Sequence, residues 1–331
     1  MISKAIPALV MAAIPICAGL ALGAFPTLRL PLATLISYAA CAIFVVGFCA
    51  RVIRWALIPV PFRIPTTCGQ QRSLSWIKPA TFDNPSTGLA AAVRMGAEIL
   101  FFRSLFRNTR TQVTNARTTV TESRWLWLGA LAFHWALLLV LLHHLRLFVQ
   151  PVPGFVMALE RLDSCLDIGM PSLYLSDIAF LAGLLYLLGR RLADPALRYI
   201  SLVTDYFALW LLVAIAGTGL LMRHWNKVDV AGVKQFALSL ASFSPVLPES
   251  VDSLFFAHLF LVSALAAYFP FSKLMHMAGV WLSPTRNLAN NNRAVRHINP
   301  WNYPVKTHSY VEWEEEYRDK LIAADIPLEA D

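Results

Sequence analysis

Apolar residues gather in long runs along this chain, parted by shorter polar or basic stretches. Six runs approach the ~20 apolar residues a bilayer-crossing helix needs. They are about Ala5–Ala24, Leu32–Ile58, Arg124–Val149, Leu173–Leu188, Ile200–Met222 and Asp252–His276, the fourth being the shortest. The pattern predicts an all-α integral membrane protein with six transmembrane helices. It divides the chain into two N-terminal spans (1–58), an insert (59–123), a four-helix bundle (124–276) and a tail (277–331).

The insert reads as a small element rather than a flexible linker. Thr87–Arg107 is predicted helical, with Leu89, Val93 and Leu100 on one side and Arg94 and Glu98 four residues apart. Arg103 and Arg107 beside Phe101, Phe102, Leu105 and Phe106 suggest a helix lying on the membrane surface. An ordinary helix packed on a partner explains them equally well. In the tail, Glu312, Glu314, Glu315 and Glu316 surround Trp313 and stand beside Tyr317. That run is a solvated face, or a docking surface for a soluble subunit.

Composition agrees with the runs. Hydrophobic residues make up 57% of the chain and charged ones 15%, against about 25% charged in soluble domains. The five cysteines, Cys17, Cys41, Cys49, Cys68 and Cys165, include no CxxC or CxxCH spacing. Covalent c-type haem and a self-contained iron–sulfur site are thereby excluded. No cleavable signal pattern stands out, because a second apolar run follows the first at once.

The net charge of +8 bears on orientation and gives no reason to expect nucleic acid. Segment 59–123 carries eight Arg or Lys against Asp83, Glu98 and Glu122, and the short link after the fourth span carries Arg190, Arg191 and Arg198. The links after the third and fifth spans are not basic. The basic links then face the cytoplasm, as do both termini.

The candidate chemistry lies in histidines. His134 and His144 stand ten residues apart in the third span, and His258 and His276 eighteen apart in the sixth. Polar rings in apolar spans are costly without partners. The two spans run in opposite directions, so depth pairs His144 with His258 and His134 with His276. Two such pairs suit two haem b groups with an imidazole on each side of the iron, centres that carry electrons and leave no open position. At ~100° per residue His276 returns to the face of His258, and His144 sits about 80° from His134 while His143 sits about 180° away. The rises agree less well, ~15 Å against ~27 Å, and a kink at Pro270 is expected to absorb the difference.

A single histidine of this kind is more simply a packing residue bonded to a neighbouring helix, and a histidine proton relay in a haem-free transporter is a rival for all four. The matched depths favour haem. His224, His297 and His308 read as solvated. Arg146 and Arg223 at outer helix ends, and Arg124 and Lys273 near the inner end, are candidate partners for haem propionates or plain interfacial anchors. Asp177, on the outer side, is a candidate acceptor of a quinol proton or a plain helix N-terminal acid, and Arg146 is the second candidate catalytic residue at the quinone. Gly217 and Gly219 fit close approach of a helix to a macrocycle or to another helix.

The histidine spacings, on the third and last helices, resemble those of the nitrate reductase gamma subunit family of dihaem b membrane anchors. The insert, with the stretches Cys68–Gln71, Ser75–Lys78 and Phe102–Phe106, is similar to that of the DsrM group of haem b subunits in DsrMKJOP complexes of sulfur-metabolising prokaryotes. The resemblance implies two bis-histidine haems b on His134, His144, His258 and His276, and menaquinone exchanging electrons near the outer haem. It further implies a cytoplasmic iron–sulfur partner similar to heterodisulfide reductase (DsrK-like), further membrane and periplasmic subunits, and a place in the cytoplasmic membrane. A lysine of the nitrate reductase quinone site has no clear counterpart here, Lys227 being the nearest guess.

Overall fold

The computed structural model describes residues 4–58, 69–114, 117–164, 173–291, 304 and 307–329. The first two helices are α1 (Ala5–Leu22) and α2 (Pro26–Ala56). α2 starts six residues before the expected Leu32, because Pro26 occupies the first turn, where its missing N–H costs nothing. The insert then folds as α3 (Gly88–Phe101), α4 (Arg103–Phe106) and a hairpin of β1 (Thr109–Thr114) and β2 (Arg117–Glu122). The strands pair antiparallel, Thr109 opposite Glu122. This hairpin was not expected from the apolar runs, since the alternating Thr, Val and charged residues of β2 are all exposed.

α5 (Arg124–His144) carries the third span, and a 3-10 turn, Leu145–Leu147, extends it. α6 (Gly154–Asp163) lies in the link to α7 (Leu175–Ala193). α8 (Pro195–Ile200), capped by Asp194, turns the chain into α9 (Val203–His224). α10 (Val230–Ala241) lies in the next link and α11 (Ser253–Tyr268) opens the last span, capped by Asp252. After α12 (His276–Gly279), α13 (Tyr310–Ala323) forms in the tail behind a Ser309/Glu312 capping box.

Among the described residues five stretches are long and apolar enough to cross a membrane: α1, α2, 124–147, α9 and 253–271. α7, the expected fourth span, has 19 residues but includes Asp177, Arg190 and Arg191. α1 and α2 expose many of their apolar side chains, among them Ile6, Val10, Ile14, Leu35 and Val46.

α1 packs against α9 and α11, and α2 against α11, so the N-terminal spans belong to the same bundle as the histidine helices. Small residues set the closest crossings. A Cβ at Gly19 would stand 2.4 Å from Ala257 Cα, and one at Gly129 would stand 2.4 Å from the Tyr186 ring. α5 packs on α7, α7 on α9 and α9 on α11, with Phe133, Phe180, Leu184 and Leu212 in the core between them. α5 and α11 close no such contact with each other.

The last span departs from expectation. Pro270 does not kink a continuous helix; it ends one. α11 stops at Tyr268, and Phe269–Phe271 is a 3-10 turn. Ser272 is extended, and a second 3-10 turn, Lys273–Met275, leads into His276. Proline lacks the N–H that would continue the ladder and its ring crowds the preceding turn. Arg51 of α2 donates to the Pro270 carbonyl at 3.1 Å, supplying a partner for the interrupted backbone.

Candidate metal centres between two helices

The four histidines stand on α5 and on the chain of α11 and its continuation, the two stretches that face each other without packing together. The rings of His134 and His276 are brought together, centroids 5.9 Å apart and planes at 81°. With a metal–imidazole bond of about 2 Å, two rings sharing one metal have centroids at about this separation. His144 and His258, the other depth pair, lie within electrostatic range of each other.

All four rings are held through Nδ1. His134 donates to the Ala130 carbonyl at 2.7 Å, His144 to Val140 at 2.7 Å and His276 to Lys273 at 2.8 Å. His258 Nδ1 meets Thr218 Oγ1 at 2.8 Å. The Thr218 hydroxyl hydrogen goes to the Ala214 or Ile215 carbonyl, at 2.8 and 3.1 Å, so its oxygen accepts and His258 donates. Protonation at Nδ1 leaves the Nε2 lone pair of each ring for a metal. Among the described residues none of these Nε2 atoms has a hydrogen-bond partner. Among the same residues no three His, Cys, Asp or Glu side chains form a metal cluster; a haem needs two axial ligands and no such cluster. The residues present therefore fit haem.

The break at Pro270 removes the mismatch of rises, because His276 no longer lies on the axis of α11. It also removes the angular argument for His276, which assumed one continuous helix. The segment bearing His276 is fixed by its neighbours instead. Lys273, whose carbonyl holds His276, pairs with Asp205 at 2.7 Å, and Arg191 approaches the other Asp205 oxygen at 3.6 Å. Phe102, just past the end of α3, meets the His134 ring edge-on at 5.0 Å between centroids. Its backbone is left-handed, φ 49°, where non-glycine residues are uncommon. A Cβ at Gly219 would lie 3.5 Å from His258 Cε1, whereas one at Gly217 would meet nothing within 4 Å.

His143 turns away from His144, as its angle requires. It is buried, 3.7 Å from Asp163 and 5.4 Å between ring centroids from Tyr174. Asp163 in turn accepts from the Ser176 backbone at 2.8 Å and from its hydroxyl at 2.5 Å. Asp177 stands 3.8 Å from Arg223, and its Oδ2 is buried with no hydrogen-bond partner. The Arg223 guanidinium lies 3.5 Å over the Tyr174 ring. Arg146 is engaged by Glu160 at 2.7 Å. All four proposed propionate cations face carboxylates, since Arg124 pairs with Glu122.

His224 corrects an expectation. It is half-buried, and its Nε2 is enclosed without a hydrogen-bond partner. His308 is exposed, as expected; His297, Cys68 and Cys165 lie outside the described residues. Sequence reasoning missed Asp163, Tyr174, Thr218 and Phe102. Phe102 was noted only as part of a surface helix, and Thr218 left a trace only as the residue between Gly217 and Gly219.

In the insert, Asp83 receives both Arg103 and Arg107. Burial alone would raise its carboxyl, but the hydrogen bonds and charges of the two arginines outweigh that and hold it below the ordinary range.

A family model described as nitrate reductase gamma subunit matches residues 91–297. The chain is 45% identical over 274 residues to a protein of Archaeoglobus fulgidus named Hdr-like menaquinol oxidoreductase cytochrome b-like subunit, covering 81% of this chain and 82% of that one. A protein of the same name from Archaeoglobus profundus is 44% identical over 271 residues, 80% of each chain. The respiratory nitrate reductase 1 gamma chain of Escherichia coli is 30% identical over 129 residues, 37% of this chain and 56% of that one.

Proposed function

This chain belongs to the nitrate reductase gamma subunit family, and from that membership we propose that it is the dihaem cytochrome b subunit of a menaquinol oxidoreductase. The observation that carries the reading is the pair of facing histidine couples, each ring presenting Nε2. His134 and His276 would hold one haem b, and His144 and His258 the other. Bound there, haem would carry electrons one at a time across the membrane. The relatives' names support menaquinol as the reductant.

The chain's own residues have distinct tasks. Thr218 and the three backbone carbonyls orient the ligand rings. Asp205 and Lys273 hold the His276 turn in place. Asp177 accepts a proton from the quinol hydroxyl, and Arg223, stacked on Tyr174, stands beside it. Arg146 lies outside this contact and serves through Glu160 or at the edge of the quinone. α7 crosses the membrane as well, the fourth of six spans in chain order, its charged residues at its two ends. Both termini and the insert lie in the cytoplasm, in the cytoplasmic membrane. There the insert and tail dock an iron–sulfur subunit similar to heterodisulfide reductase, in a DsrM-like complex of dissimilatory sulfur metabolism with further membrane and periplasmic subunits.

The test is the purified protein's spectrum and haem content. A reducible b-type spectrum, two haems b per chain and reduction by a menaquinol analogue are expected; absence of a reducible b-type spectrum rules the reading out. A finer expectation concerns Phe102. Phe102→Gly should keep both haems but shift the low-spin electron paramagnetic resonance signal of the His134/His276 centre, leaving the other signal in place. Identical signals in wild type and variant would show that the ring does not orient His134.

A further inference from the structure

α3 is built inside out. Arg94 and Glu98 are 4% and 8% exposed, while Leu89 and Val93 are 79% and 55% exposed. At ~100° per residue Leu89, Val93 and Leu100 form one stripe, and Arg94 and Glu98 lie on the opposite side. The charged face finds its partners within the protein. Arg94 donates to the Thr285 carbonyl at 3.4 Å, and Glu98 accepts from the Ser104 backbone and hydroxyl at 3.0 and 2.5 Å. The preceding loop is tied to the same post-span segment, the Asn290 amide donating to the Asn84 side chain at 3.1 Å. A surface helix in water places its charges outward and its leucines inward. The reverse order belongs to a helix whose outer surroundings are less polar than its inner ones.

The end of α3 identifies those surroundings. Trp127 donates to the Phe101 carbonyl at 2.7 Å and Trp135 to the Leu100 carbonyl at 3.0 Å. These are last-turn carbonyls that a helix cannot satisfy itself. Both indoles stand on the spanning helix α5, and Trp135 lies eleven residues past its start, ~16 Å along the axis. The tip of α3 is thus fastened to α5 inside its apolar stretch. The exposed Leu89, Val93, Leu100 and Phe101 continue the lipid-facing surface that α5 presents at Leu128 and Leu138. Just past the tip, left-handed Phe102 reverses the chain, and Arg103 and Arg107 return to Asp83.

We propose that α3 is an interfacial helix whose Leu89–Val93–Leu100 stripe is seated in the acyl chains of the leaflet on the insert's side. Its partner is the bilayer itself. The seat needs no haem and no second subunit.

The test uses spin labels on Leu89→Cys, Val93→Cys and Leu100→Cys in the full chain with native cysteines replaced, reconstituted in phosphatidylcholine–phosphatidylglycerol vesicles. Leu138→Cys on α5 is the lipid reference and Val120→Cys on β2 the water reference. The α3 labels should match Leu138→Cys in collision with oxygen. Their collision with a water-soluble nickel chelate should fall several-fold below that of Val120→Cys. Nickel access equal to Val120→Cys overturns the proposal. So does protection that develops only when the chain is in complex with its soluble subunit, since a protein then covers the face. A measurement on the unaltered protein stands beside it. A photoactivatable acyl-chain phospholipid should label the peptide covering residues 88–101, and labelling confined to α1, α2, α5, α9 and α11 would overturn the proposal as well.

Discussion

His276→Ala is expected to lower the haem content from two per chain to one, and His134→Ala to remove the same one. His144→Ala and His258→Ala are expected to remove the other. The grouping follows from the ring contact of His134 with His276, centroids 5.9 Å apart, and from the electrostatic interaction of His144 with His258. Losing one imidazole leaves an iron with a single axial protein ligand and a polar gap in an apolar slot, which is costly in a membrane interior. The measurement is the haemochrome content of each variant with the low-spin resonance that disappears. If His134→Ala and His258→Ala were to lose the same signal, the pairing would be wrong. His143→Ala should keep both haems, because that ring faces Asp163 and Tyr174 instead. Thr218→Val, which removes the hydroxyl at 2.8 Å from His258 Nδ1, should keep the haem but weaken its retention by about 10–100-fold, the usual cost of losing a ligand's hydrogen-bond partner. Haem washing off Thr218→Val no faster than off the wild type would show that the bond does not hold the ring.

The spans were legible because lipid demands long apolar runs and little else. The hydrophobic stripe that a soluble helix needs is absent from such runs, so their packing partners were not legible. Nothing in the spacing of Ala5–Ala24 announced that α1 lies against α9 and α11. The depth pairing of the histidines followed from helix direction alone, and it survives the break at Pro270, which undid the angular argument. An interrupted helix is visible in sequence as a proline. Whether it kinks or ends depends on what receives the freed carbonyls, here Arg51 from a distant helix. The same holds for Asp205 and Lys273, 68 residues apart in sequence but 2.7 Å in space. The reversed face of α3 was readable as a pattern, with Leu89, Val93 and Leu100 on one side. Which side was buried depended on Thr285 and Ser104, partners that periodicity cannot name.

The other large effect is expected from Asp177→Asn, which should lower menaquinol-driven reduction of the protein by ~100-fold or more while leaving dithionite-driven reduction and haem content intact. Quinol oxidation releases two protons along with two electrons, and a positioned base contributes typically 10²–10⁴-fold to such a transfer. Asp177 is equipped for that part: Oδ2 is buried, unpartnered, and 3.8 Å from a guanidinium that Tyr174 holds in place. Asparagine keeps the shape and loses the basic oxygen. It also removes the negative charge beside Arg223, a change that by itself disturbs the helix ends. Asp177→Glu separates the two effects, since it restores a base and a charge and should recover much of the rate. Arg146→Gln supplies the contrast, because its guanidinium is engaged by Glu160 at 2.7 Å. A rate near that of the wild type is expected there. If Arg146→Gln were to lose quinol-driven reduction while Asp177→Asn kept it, the proton would leave by way of Glu160 and the base would have been assigned to the wrong carboxylate.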